Sequence, residues 1–135
     1  MRRYLLDTNI LSDLVRHPEG RAARKIAEVG EESVCTSLIV ACELRYGAAK
    51  KRSASLSEKI NQLLSVIEIR SLEDGVDKRY GEIRSRLEKS GTPIGANDML
   101  IAAHAASLDL VLVSDNTSEF GRIPGLLLEN WLQDK

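Results

Sequence analysis

Aromatic side chains are scarce in this chain of 135 residues: one Phe, one Trp and three Tyr amount to 4% of it. That scarcity argues against a surface on which the bases of a single strand stack in succession. With only two cysteines and two histidines, all four of which a closed zinc site would need, such a site is not expected. Cys35 and Cys42 lie in apolar runs, Ser33-Val34-Cys35-Thr36 and Ile39-Val40-Ala41-Cys42, so both are expected as buried free thiols. Neither sign of charge dominates, with 19 basic against 20 acidic side chains and a formal charge of −1. No global basic field advertises nucleic acid, and any such partner has to be held by local patches or a metal. No apolar stretch reaches the roughly 20 residues that span a bilayer, and Arg2-Arg3 precede no long apolar segment. A soluble cytoplasmic protein without a membrane partner is expected. No Walker A, G-x-S-x-G or G-x-G-x-x-G pattern occurs. No repeat or linker divides the chain, so residues 1–135 are expected to form one domain.

What is present is an alternation of short apolar runs and amphipathic stretches. Tyr4-Leu5-Leu6 is strand-length and stops at Asp7-Thr8-Asn9, after which Ile10, Leu11, Leu14 and Val15 recur at helical spacing. Thr8 or Asn9 is a natural cap for that helix, and Asp7 is either part of the same cap or a carboxylate delivered to the end of a strand. Helical patterns follow over Arg21–Val29, Leu38 to about Lys51, Ser55 or Ser57 to Leu64, Leu72–Lys89 and from Asn97 or Asp98 onward. Strand-length runs stand at Val34-Cys35-Thr36, Val66–Ile69, Leu110–Val113 and Leu126–Leu128. Strands alternating with helices predict an α/β fold, a parallel sheet covered by helices on both faces. His104, inside an Ala-rich helix, is expected to pack rather than to bind a ligand.

Three acids interrupt otherwise apolar or helix-starting segments: Asp7 after the first strand, Glu43 within the helix after the second, and Asp98 at the start of the core helix. If they meet in a partly desolvated cleft, their repulsion has to be relieved by protonation or by a cation. An all-oxygen cluster suits Mg²⁺ or Mn²⁺. Such a site could serve metal-assisted phosphodiester hydrolysis.

Tyr4-Leu5-Leu6-Asp7-Thr8-Asn9-Ile10 resembles the opening of PIN-domain nucleases, and Pro93–Ala105 resembles the third motif of their VapC toxin branch. Glu43-Leu44-Arg45-Tyr46-Gly47 is similar to the second motif of that branch. The resemblance runs from Arg3 to about Trp131. It implies a three-layer α/β/α PIN-like domain with a central parallel sheet, and a Mg²⁺- or Mn²⁺-dependent endoribonuclease acting as a toxin. It also implies a homodimer, neutralised in a hetero-oligomer by a VapB-type antitoxin, and an RNA substrate, tRNA being one candidate. Carried over residue by residue, Asp7, Glu43 and Asp98 match the acidic, metal-binding site. Where many relatives place a fourth acid, this chain has Ser114-Asp115-Asn116; by motif position Asn116 takes that place among the catalytic residues, with Asp115 or Glu119 as substitutes if the loop turns them inward. Three carboxylates are expected to hold one ion firmly. Thr8, Asn9, Ser114 and Asp115 are the candidates for orienting the ligands from behind, and Arg2, Arg3, Arg16, Lys50, Lys51 and Arg52 those for RNA phosphates. The alternative reading is a non-catalytic PIN-like module that binds RNA or protein, its site decayed at Asn116.

Overall fold

The structure is a computed structural model that describes residues 3–133; Arg2, one of the expected phosphate contacts, lies outside the described residues. Five strands, β1 (Tyr4–Leu6), β2 (Val34–Ser37), β3 (Glu68–Arg70), β4 (Val111–Val113) and β5 (Leu128–Glu129), form one sheet of order β3-β2-β1-β4-β5. Every pairing is parallel, with Leu5 opposite Cys35 on one side and Leu112 on the other. Seven helices connect them: α1 (Thr8–Arg16), α2 (Arg21–Val29), α3 (Leu38–Lys51), α4 (Ala54–Val66), α5 (Val76–Lys89), α6 (Ala96–Ser107) and α7 (Thr117–Phe120).

Right-handed crossovers put α1 to α4 on one face and α5 to α7 on the other. Most contacts follow that division: α1 packs on α2, α3 and α4, and α5 lies along α6, while α3 and α6 also meet. A sheet covered on both sides has to bury both faces of its strands. Tyr4, Leu5 and Leu6 are accordingly all buried, and so are Leu112 and Val113. On α6 the run Ile101–Ala105 is fully buried, which its small alanines permit at close helix–sheet distance. His104 packs there as expected, its Nδ1 2.8 Å from Ser37 Oγ.

Several boundaries differ from the sequence reading. Helix α4 starts at Ala54, because Ser53 caps it by accepting from Leu56 N at 3.1 Å. Helix α5 starts at Val76 rather than Leu72; Gly75, at φ +103°, turns the chain into it and leaves Leu72 exposed. Its end is as expected: Gly91 adopts φ +69°, and Thr92 N closes onto Leu87 O at 3.0 Å. The last strand is Leu128–Glu129, with Leu127 exposed. Cys35 is buried but Cys42 is exposed, because its position on α3 faces away from the buried stripe Val40, Ala41, Leu44 and Ala48.

Connections leave β1 and β4 toward opposite faces, so the crevice beyond their carboxyl ends is the switch point of the sheet. Asp7 N donates to Val113 O at 2.9 Å and ties those two strand ends together.

Candidate active site

The first helix is not capped by its own polar residues. Its cap position is Asp7, in extended conformation and without a side-chain cap hydrogen bond. Thr8 and Asn9, free of that duty, point into the crevice. Thr8 Oγ1 donates to Glu43 Oε1 at 2.6 Å, which joins the start of α1 to the second turn of α3. Asn9 Nδ2 lies 3.3 Å from both Asp7 Oδ2 and Ser114 Oγ, and Asn9 Oδ1 accepts from Asp115 N at 2.9 Å. Ser114 Oγ in turn donates to Asp7 Oδ2 at 2.7 Å and accepts from Asn116 N at 3.0 Å. Asp7 is thus gripped from two strand ends.

Asp7 is only 3% exposed. Burial pushes its carboxyl above the ordinary range, against the hydrogen bonds from Ser114, the Thr8 backbone N–H and Asn9; the charge of Glu43 adds to the rise. Asp98 sits in the first turn of α6, which starts at Ala96 with Gly95 as its cap, ahead of the Asn97 or Asp98 start expected from the sequence. Its carboxyl is pushed up to about 7, first by burial, then by a hydrogen bond shared with Glu119 and by the charges of Asp7, Glu119 and Glu43. Glu119 is held below its ordinary range by the Asn116 amide, by the same bond from Asp98 and by the Arg122 charge. Asp98 is the donor of that shared bond and Glu119 the acceptor.

Asp7, Glu43 and Asp98 therefore come within electrostatic reach of one another, as the sequence predicts. The fourth acid beside them is Glu119, not the residue at the Asn116 position. Asn116 Nδ2 donates to Glu119 Oε2 at 2.9 Å and so supports the acid instead of replacing it. Asp115 is exposed, and its Oδ1 accepts from Asn130 at 2.9 Å and Gln133 at 3.4 Å; it contributes its backbone N–H to the site, not its carboxylate. A signal for Glu119 does exist in the sequence. In Asn116-Thr117-Ser118-Glu119-Phe120, Asn and Glu are three apart across a single helical turn, and Phe120, fully buried, fixes how that turn faces. Arg122 carries no such signal; it reaches the rim by donating to Pro93 O at 3.1 Å.

The donor set is all oxygen, and among the described residues no cationic side chain is one of the leading influences on Asp7 or Asp98. That combination fits a hard divalent cation. Among the described residues no three acid, imidazole or thiol groups are already drawn together at ion-binding distance. Those basic residues expected at phosphates that the structure describes lie elsewhere. Arg3 sits over the Tyr4 ring at the amino end of β1, 5.2 Å from its centroid. Arg16 and the Lys50-Lys51-Arg52 cluster stand at the far ends of helices that begin at the crevice.

A doubly wound parallel sheet with acids converging at its switch point defines an α/β protein with an oxygen-ligand site. The PIN domain family matches residues 4–126. The chain is similar to Ribonuclease VapC2 of Rickettsia felis, 39% identical over 130 residues that cover 95% of this chain and 97% of that one. It is similar to the tRNA(fMet)-specific endonuclease VapC of Salmonella typhimurium, 34% identical with 97% and 99% covered. Among solved structures, VapBC2 from Rickettsia felis bound to a DNA fragment from their promoter superimposes with a TM-score of 0.88 at 37% identity, covering 95% and 98%. The chain belongs to the PIN-domain family, among its VapC ribonucleases.

Proposed function

We propose that this chain is the toxin of a toxin–antitoxin pair, an endoribonuclease that uses Mg²⁺ or Mn²⁺ to hydrolyse RNA phosphodiester bonds in the cytoplasm. The observation that carries the reading is the convergence of Asp7, Glu43, Asp98 and Glu119 on one crevice, with no cationic side chain of the described residues among the leading influences on Asp7 or Asp98. A divalent ion held there would lower the pKa of water and neutralise charge building on a phosphoryl oxygen. Everything else is the work of the chain. Ser114 and Asn9 fix the Asp7 carboxylate, so that it arrives oriented and needs no reorganisation. Thr8 aims Glu43 from across the crevice. Asp98 and Glu119 hold one proton between them near neutrality; deprotonated, the pair would help Asp7 and Glu43 hold an ion, and a carboxylate oxygen left free would accept the proton of the attacking water.

The relatives support the rest of the proposal. A VapB-type antitoxin is the expected partner, since the solved neighbours include VapBC assemblies; a homodimer is expected as in the resemblance; and tRNA is the first substrate to try, given the Salmonella relative's name. The test is cleavage of unfractionated tRNA with and without chelator. Asp7→Asn and Asp98→Asn replace an ionisable carboxyl by an amide at nearly constant volume, and each is expected to abolish cleavage while leaving the melting curve cooperative. Cleavage at wild-type rates by both variants would overturn the acidic-site mechanism. Chelator-resistant RNA binding without any cleavage would favour the non-catalytic module.

A further inference from the structure

Helix α5 carries a row of cations. One face of that helix and the loop Ile123–Leu126 enclose a groove of about 560 Å³. Arg79, Arg86 and Lys89 line it, with Glu82 the one acid among them. The spacing is what one helical face requires: Arg79 and Arg86 are two turns apart, and Lys89 follows one turn later, about 15 Å from first to last. Ile83 and Leu87 form the floor, and the Ser85 and Ser90 hydroxyls lie among the lining groups. All three cations are exposed. Among the described residues none of the three has an ion pair, whereas Arg84 on the other side of α5 is taken by Glu88 at 3.1 Å and by Tyr80 at 2.9 Å.

The groove also points at the crevice. Lys89 and Ser90 at its end lead directly into the loop that delivers Asp98. Ile123 on its opposite wall follows Arg122, which bonds to Pro93 O of that loop and whose charge acts on Glu119. A chain of phosphates leaving the acidic site on this side would pass Arg122 and then meet Lys89, Arg86 and Arg79 in turn.

We propose that this groove is the track for the RNA backbone flanking the scissile bond, and that Arg79, Arg86 and Lys89 hold its phosphates. The proposal rests on the ribonuclease reading above and adds where the substrate lies. Unpaired cations on a helix face match a polyanion by charge, and an overall charge of −1 leaves such a local row as the means of attraction.

The test is tRNA binding as a function of salt, measured in the Asp7→Asn background so that bound RNA is not consumed. The triple variant Arg79→Gln/Arg86→Gln/Lys89→Gln is compared with Lys50→Gln/Lys51→Gln/Arg52→Gln, which changes net charge equally at the far end of α3. The groove variant is expected to bind about tenfold more weakly and to lose about two units of the salt slope, at about 0.7 per single-strand phosphate. The α3 variant should retain both values, and Arg79→Lys/Arg86→Lys should retain the slope. With Asp7 restored, the groove variant should raise KM and leave kcat in place. Equal losses in both triple variants, or none in the groove variant, would overturn the proposal. So would wild-type tRNA binding combined with lost affinity for a VapB-type antitoxin, which would make the groove a protein-docking site. Should the triple variant fail to fold, Arg86→Gln alone still has to lower the slope by about 0.7. Absence of cleavage by the intact wild-type enzyme would count against the ribonuclease reading, whereas an unchanged salt slope counts against the groove alone.

Discussion

Asp98 and Glu119 are 21 residues apart in the chain and share one hydrogen bond, Asp98 raised to about 7 and Glu119 lowered. Two carboxyl groups can sit together in this way only while one of them keeps its proton. The pair stores a proton where a cation would otherwise be needed.

Stability should therefore depend on pH in a definite sense. The folded state keeps a proton on Asp98 up to about 7, while the unfolded chain releases it near 3.8. The contribution of Asp98 is complete below that ordinary value and lost as pH rises through 7. Asp7, also raised, acts in the same sense; Glu119, lowered, acts oppositely, but only as pH falls through the acid range below its ordinary 4.5. Metal-free protein is expected to melt at lower temperature at pH 8 than at pH 5.5, and saturating Mg²⁺ should raise the melting temperature more at the higher pH. Calorimetry at both values checks this; an Mg²⁺ shift that does not grow with pH contradicts it.

The fourth acid can be separated from its support. Glu119→Gln removes the charge beside Asp98 and should weaken divalent-ion binding by roughly ten- to a hundred-fold with a matching loss of cleavage. Asn116→Asp is expected to weaken binding as well, since it sets a carboxylate against Glu119 where an amide donated. Titration calorimetry with Mn²⁺ distinguishes the cases: tighter binding in Asn116→Asp would return the fourth position to residue 116.

Thr8→Val keeps the shape of the side chain and loses the 2.6 Å bond to Glu43. The expected cost in stability is about 1 kcal/mol. A Glu43 left free to swing should lower the cleavage rate up to about 100-fold, and Thr8→Ser should restore most of it. Equal rates for Val and wild type would mean that Glu43 is aimed by something else.

Leu5 is fully buried in β1, the middle strand of the sheet. Leu5→Ala should cost about 2–5 kcal/mol through lost burial and the cavity left behind, read as a shifted denaturation midpoint at constant slope. Because β1 also delivers Asp7, the variant tests how far the site depends on that strand's packing: cleavage should survive wherever the variant remains folded.

Apolar periodicity is a local property, and it determined most of the architecture: Tyr4–Leu6, Val34–Thr36 and Leu110–Val113 as strands, α2 and α3 at their observed limits, and a parallel sheet covered on both faces. It also determined that Asp7 and Asp98 stand at helix starts, and Glu43 in the second turn of α3, at the end of the elements that a doubly wound sheet brings to one edge. What periodicity does not carry is the direction of a polar side chain at a helix end, because that depends on which distant strand end lies beside it. Thr8 and Asn9 look like caps locally and became site residues because Glu43, 35 residues away from Thr8, and Ser114, 105 away from Asn9, offered them partners. Cys42 turned outward because α3 buries only the stripe through Val40, Ala41, Leu44 and Ala48. Glu119 rather than Asn116 became the fourth acid because burial of Phe120 turns the short α7 so that position 119 meets Asp98. The row Arg79, Arg86 and Lys89 is legible as a helix face, but only the packing of Ile123–Leu126 against it made a groove.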